Sequence, residues 1–199
     1  RPLKGGDEDA LLQILEERVA DYDVVIAIDY GHGMLVPSCI EVLCKKASFL
    51  AVNTQSNAGN RGFNPISKYR RADYVCLANH EVHIETRMRE GDMRDLMLEV
   101  TARIECSRFT VTQGKSGSLH YETGGGFTEA PALATQVTDR VGAGDAVLAL
   151  TSLLVESEAP WDIIGFVGNA AGAQIVAELG NRLPIRQIAL AKSIISLMK

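Results

Sequence analysis

Asp145 follows Gly142-Ala143-Gly144 and precedes a largely apolar run to Val155, and this order of residue types suits chemistry on an anion. Two glycines at a helix start let the backbone bring consecutive N–H groups to one point, which makes an anion site without a side chain. A helix N-terminus stabilises negative charge by about 0.3–1 kcal/mol, so Asp145 in the first turn is placed to accept a proton. A proton acceptor beside donors for developing negative charge is what phosphoryl transfer to an alcohol requires. The same spacing equally suits a carboxylate that only satisfies free N–H groups of the first turn. Two other phosphate motifs are excluded. A dinucleotide fingerprint needs a third glycine near 147, where Val147 stands, and a strand directly before it; a Walker A loop ending in "GKS" at 114–116 would need glycine where Phe109 stands.

A second group of polar residues lies where strands are expected to end: Asp29, Asn53, Asn79 and Thr112. A polar strand end is more often a turn former than a ligand, but ligands of open α/β sheets bind beyond the carboxyl ends of the strands, so the coincidence of four such ends with glycine-rich loops shifts the balance toward ligands. His32 sits between Gly31 and Gly33, a spacing that allows close backbone approach to a substrate or phosphate. Asn53, Gln55, Asn57, Asn60 and Arg61 form a dense polar stretch after a buried strand. Such a stretch can simply solvate the strand end; it also offers amides for sugar hydroxyls and, in Arg61, a fork for phosphate. His80 and His83 share a helical face but have no third ligand nearby, which favours solvated side chains over a metal site.

These residues need a scaffold, and the pattern of the chain supplies one. With 199 residues, 46% of them hydrophobic, the chain can bury one core of ordinary size. Asp7 is expected to cap a helix in which Leu11, Leu15 and Val19 recur every fourth residue. "DVVIAID" (23–29) is apolar on both faces, as a central parallel strand is. Pro37 opens a helix over 37–47, followed by strands at 48–53 and 72–79, two helical stretches between 80 and 105, and a strand at 108–112. The segments 117–121 and 125–131 read as an antiparallel hairpin at the sheet edge. Helices follow at about 142–157, 160–179 and 185–198. Strand and helix in alternation predict one α/β domain with a doubly wound, mostly parallel sheet.

Composition removes several classes of function. A net charge of −5 without a long basic run argues against nucleic acid as the main partner. No apolar run reaches the length of a membrane span, and the first residues lack the core of a signal peptide, so no membrane partner is expected. The four cysteines, Cys39, Cys44, Cys76 and Cys106, lie in apolar segments without metal-ligand spacing, which predicts reduced thiols in a cytoplasmic protein.

"DRVGAGDAV" resembles the D-T-x-G-A-G-D signature of the ribokinase-like carbohydrate kinases, the PfkB family. "DYGHGML" (29–35), "TQGKSG" (112–117) and "GNAAGAQIVAELG" (168–180) fall in the family's order, so the resemblance covers nearly the whole chain. The segment 52–75 is similar to the branch with bacterial heptose 7-phosphate kinases. The resemblance implies a Rossmann-like three-layer fold and an enzyme that transfers phosphate from ATP, with Mg2+, to a hydroxyl of a sugar or sugar phosphate. By it, Asp145 would be the catalytic base, and the backbone of Gly142, Ala143 and Gly144 would hold the transferred group. Thr112, Gly114 and Gly117 would line the nucleotide phosphates and ribose, with Asn169 near the adenine. Glu81 would organise magnesium through water, and Asp139 would help to form a monovalent-cation or structural site.

Two departures from the family pattern stand out. Arg140 replaces the signature's threonine, and the N-x-x-E motif is "ANHE", with Ala78 in place of asparagine and Asn79 available only after a one-residue shift. Family members are usually longer, which implies the C-terminal nucleotide-binding part of a sugar kinase, without its N-terminal part and lid, and with a homodimer as the candidate assembly. The second class of function left open is a catalytically weakened nucleotide-binding regulatory or interaction module.

Overall fold

The computed structural model describes residues 2–180 and 184–198. The chain divides into two compact units, Arg1–Phe109 and Thr110–Lys199. The first contains α1 (Gly6–Arg18), β1 (Val25–Asp29), α2 (Pro37–Lys46), β2 (Leu50–Thr54), β3 (Tyr74–Ala78), α3 (Asn79–Thr86) and α4 (Met93–Arg103). β4 (Arg108–Thr112) leads into the second, which contains β5 (Ser118–Glu122), β6 (Gly126–Ala130), α5 (Ala143–Glu156), α6 (Trp161–Ala177) and α7 (Gln187–Leu197). The strands follow the order β1-β2-β3-β4-β5-β6 in one sheet. β1 and β2 run parallel with Val25 opposite Leu50 and Asp29 opposite Thr54, and β2 and β3 run parallel with Val52 opposite Val75. β5 and β6 form the antiparallel hairpin that the glycines at 124–126 announce in the sequence.

Burial explains the strand sequences of the first unit. Leu50, Ala51 and Val52 are fully covered, as are Tyr74 and Val75, so β2 and β3 are apolar on both faces. α2 opens with Pro37 in its first turn, where the missing N–H costs nothing, and turns Cys39, Ile40, Val42 and Leu43 inward. Ahead of β3 and β4, Arg71 pairs in parallel with Glu105, and the Arg71 guanidinium donates to the carbonyls of Cys44 and Ala47 at the end of α2. All four cysteines are free thiols, and burial pushes Cys106 up to about 12. No helix among the described residues is long and apolar enough to cross a membrane.

Four expectations about the elements are corrected. Asp7 does not cap α1: Gly5 occupies the N-cap and Asp7 lies inside the first turn, where its charge still suits the helix dipole. β1 has the both-face apolar pattern of a central strand, yet among the described residues it is the first strand of the order, with Val25, Ile26 and Ile28 only half-buried. Asn79 is not a strand end; β3 stops at Ala78 and Asn79 opens α3 without a linker. Asn53 lies one residue inside β2, which ends at Thr54.

In the second unit the hairpin is packed by α6, which brings a glycine where it passes closest. His120 on β5 is 1% exposed, with its ring between two hydroxyls: Thr110 Oγ1 is 2.8 Å from Nδ1 and Ser118 Oγ is 2.9 Å from Nε2. Trp161 stacks on the imidazole at 5.3 Å, and Gly165 of α6 passes so close that an added Cβ would lie 2.7 Å from His120 Nε2. Neutral imidazole satisfies both hydroxyls, donating through one nitrogen and accepting through the other. Burial therefore holds His120 down at about 4, against 6.5 for an ordinary histidine. The unfolded chain takes up the proton first as pH falls, so stability is constant above about 6.5 and declines toward 4. That window is worth about 3 kcal/mol. Urea unfolding of the chain at pH 7 and pH 5 is expected to show about 2 kcal/mol of this loss, and His120→Gln to reduce it by more than half. An unchanged pH dependence in the variant would show that other groups carry it.

Candidate functional site

The first unit builds a polar rim at the ends of β1 and β2. Asp29, 4% exposed, closes β1: its Oδ1 accepts the Gly31 N–H at 2.9 Å, and its Oδ2 accepts the Tyr69 hydroxyl at 2.9 Å and pairs with Lys68 Nζ at 2.5 Å. Burial, with the Asp29 charge beside it, pushes the Tyr69 phenol up, so Tyr69 remains the donor. Asp29 is thus the turn former of "DYGHG", the commoner of its two sequence readings. Three asparagine amides complete the rim. Asn64 donates to the carbonyls of Asp29 and Gln55, Asn60 to those of Tyr30 and Gln55, and Asn57 to that of Tyr30.

α3 fastens the other side of this loop with two buried glutamates one helical turn apart. Glu81 accepts the N–H of Ser56 through one oxygen and that of Ala78 through the other, while Glu85 accepts the N–H of Ile66 and is met by Arg103. Burial pushes the Glu81 carboxyl up, and the two N–H donors pull it part of the way back. A void of about 10 Å³ lined by Thr54, Ser56, Asn60, Asn64, Glu81 and Glu85 has room for one water. Asn53 is engaged beside it, donating to the Cys76 carbonyl at 2.7 Å.

Above the rim lies an open recess of about 360 Å³ lined by Pro2, Gly31, His32, Gly33, Asn57, Gly59 and Asn60. His32 is exposed, stacks with Tyr30 at 6.1 Å, and has Nε2 3.5 Å from Asn57 Nδ2. Arg61 is exposed on the same loop, and Gln55 contributes its backbone to the rim. His80 is exposed, and His83 is half-buried with its Nδ1 2.9 Å from the Met88 carbonyl. No group of three metal-ligating side chains is found among the described residues.

The second unit builds its site from backbone. Gly142, at φ +81°, is the N-cap of α5, and Asp145 lies in the first turn, half-buried. Nothing lies within 4 Å of a Cβ placed on Gly144, so the helix start is open there. In the loop after Thr112 the two glycines do different work. Gly117 packs so tightly on β6 that a Cβ would fall 2.0 Å from the Ala130 carbonyl oxygen, whereas Gly114, at φ +57°, faces open space. Asn169 spends both amide hydrogens on the carbonyls of Ala130 and Pro131, which ties α6 to the end of β6. Asp139 accepts the N–H groups of Val141 and Gly180, and these hold its carboxyl below the usual range.

Comparison with known proteins gives these features a family. The model of the pfkB family carbohydrate kinases matches residues 38–188, three quarters of the chain. The chain belongs to that family. The bifunctional protein HldE of Citrifermentans bemidjiense is 25% identical over 186 residues, covering 89% of this chain and 37% of that protein. HldE of Koribacter versatilis is 29% identical over 175 residues, covering 86% and 35%. The chain therefore spans little more than a third of these curated relatives. Among solved structures, Escherichia coli phosphofructokinase-2 in complex with potassium superposes with a TM-score of 0.78 at 18% identity, over all of this chain and 65% of that one. Arabidopsis thaliana ribokinase complexed with ribose and ATP gives 0.70 at 16%, over 100% and 61%. These likenesses establish a ribokinase-like fold.

Sequence reasoning did not single out Lys68, Tyr69, Asn64 or Glu85, which hold the rim together. Their only signal was polarity at positions that otherwise read as loop or helix surface. The two glycines of the loop after Thr112 give a direct test. Gly117→Ala is expected to cost about 3 kcal/mol or more, because backbone must move. Gly114→Ala is expected to cost about 1 kcal/mol, the strain of a left-handed alanine. Thermal melting of both variants checks this, and equal losses would contradict the assignment.

Proposed function

We propose that the protein is an ATP-dependent carbohydrate kinase whose acceptor is a sugar or sugar phosphate, with heptose 7-phosphate the acceptor class suggested by residues 52–75. The observation that carries this reading is Asp145 in the first turn of α5, directly behind the left-handed Gly142, inside the segment that matches the family. An intact carboxylate and anion nest favour an enzyme over a binding module. In the second unit, Asp145 takes the proton of the attacking hydroxyl, and the N–H groups at Gly142, Ala143 and Gly144 offset charge on the transferred group. Thr112 and Gly114 lie on the nucleotide side, with Gly117 holding their loop on β6. The Asn169 amide positions the end of β6 while its carbonyl oxygen remains for the base.

In the first unit, His32, Asn57 and Arg61 suit sugar hydroxyls and a phosphate, and Asn53 and Gln55 act from beneath the rim. Magnesium is content with one carboxylate, several waters and the nucleotide phosphates; both Glu81 oxygens already accept backbone N–H groups, so Glu81 would reach the ion only through a water, for which the adjoining void has room. When bound, the ion would neutralise phosphate oxygens; Asn79, at the start of α3, is the nearest substitute for the missing asparagine of the motif. A monovalent cation at Asp139 would share oxygens that already accept two N–H groups, and no step depends on it.

Asp145→Asn in the full-length protein is expected to lower turnover about 100-fold or more while ADP affinity stays within about threefold, the pattern of a lost general base. A coupled ADP-release assay with sugar phosphates, alongside ADP titration, measures both. Turnover within about threefold of the parent would remove Asp145 from the mechanism.

A further inference from the structure

Lys68 contacts both halves of the rim in the first unit. Its ammonium pairs with Asp29 Oδ2 and donates to Asn64 Oδ1, each at 2.5 Å, while lying over the Tyr69 ring at 5.6 Å. Asp29 fixes the turn that carries His32, through the Gly31 N–H. Asn64 belongs to the other wall. A cation on Asn64 Oδ1 settles the orientation of that amide, so Nδ2 must face the carbonyls of Asp29 and Gln55, as it does at 2.8 and 3.2 Å. The Gln55 carbonyl is shared with Asn60, whose Oδ1 accepts the Asn57 N–H at 2.7 Å. Asn57 in turn donates to the Tyr30 carbonyl and lies against His32.

The chain of contacts therefore runs from one ammonium to the recess by two routes, through Asp29 to Gly31 and through Asn64, Gln55 and Asn60 to Asn57. The fit along the rim is tight: a Cβ on Gly31 would lie 2.2 Å from Asn60 Nδ2. Lys68 itself does not line the recess. We infer that Lys68 is a positioning residue, which sets the separation of the His32 turn and the Asn57 loop and thereby the affinity for the acceptor, without taking part in transfer. The inference rests on the proposal that this recess receives the sugar or sugar phosphate.

Lys68→Met keeps the length of the side chain and removes both contacts. In the full-length protein it is expected to raise KM for the sugar phosphate about tenfold or more, because a preformed wall is lost, with kcat and ADP affinity within about threefold of the parent. Asn64→Ala removes one of the two Lys68 contacts at a residue that does not line the recess, and is expected to raise KM in the same way with kcat and ADP affinity within about threefold of the parent. It decides the matter if Lys68→Met does not fold. Unchanged KM in a folded Lys68→Met, or in Asn64→Ala where the first variant fails, overturns the positioning role while leaving the kinase reading intact. A parent protein that transfers phosphate to no sugar or sugar phosphate overturns the kinase reading, and the inference with it.

Discussion

A buried carboxylate must find donors, and the first unit is arranged around three such groups, one at the end of β1 and two on α3. Asp29, Glu81 and Glu85 each accept a backbone N–H from a neighbouring turn or loop, which makes the loop follow the carboxylate. Leaving any of them buried without partners would cost several kcal/mol, and among the described residues no buried side-chain nitrogen or oxygen lacks one. The asparagines extend the same logic, since each side-chain amide answers carbonyls at or just beyond the ends of β1 and β2. The result is a stiff rim over which an open recess can hold its shape.

The second unit meets its constraint by close approach instead of by charge. α6 carries Gly165 where it passes His120 and Gly168 where it passes Thr151, so helix, hairpin and α5 pack at distances that larger residues would not allow. Gly117 is required for the same reason. What remains open, the start of α5 and the face of Gly114, is backbone rather than side chain. An anion site of the kind proposed there would depend little on individual side chains and strongly on how the helix is anchored behind it.

The two departures from the family signature have physical explanations. Ala78 supplies only its backbone N–H to Glu81, a bond that any residue at the N-cap of α3 can make, so loss of the asparagine leaves the helix start fastened. Arg140 is exposed, and Asp139 still accepts the Val141 N–H that shapes the turn; the threonine hydroxyl is not needed for that contact.

The sequence by itself determined the order and type of nearly every element, because apolar period, Pro37 and the glycine punctuation are local signals that act within a few residues. It also marked Asp145 and its glycines, whose chemistry depends on neighbours in the chain. Only the tertiary structure decided what the polar residues of the first unit do. Asp29 finds Lys68 and Tyr69 about forty positions away, Glu81 finds Ser56, and Asn169 finds Ala130 and Pro131. A side chain's composition gives the number of hydrogen bonds it can make, but which partners it meets is fixed by the folded chain. For that reason Lys68 reads in the sequence as an ordinary surface cation, and in the fold as the tie between two loops.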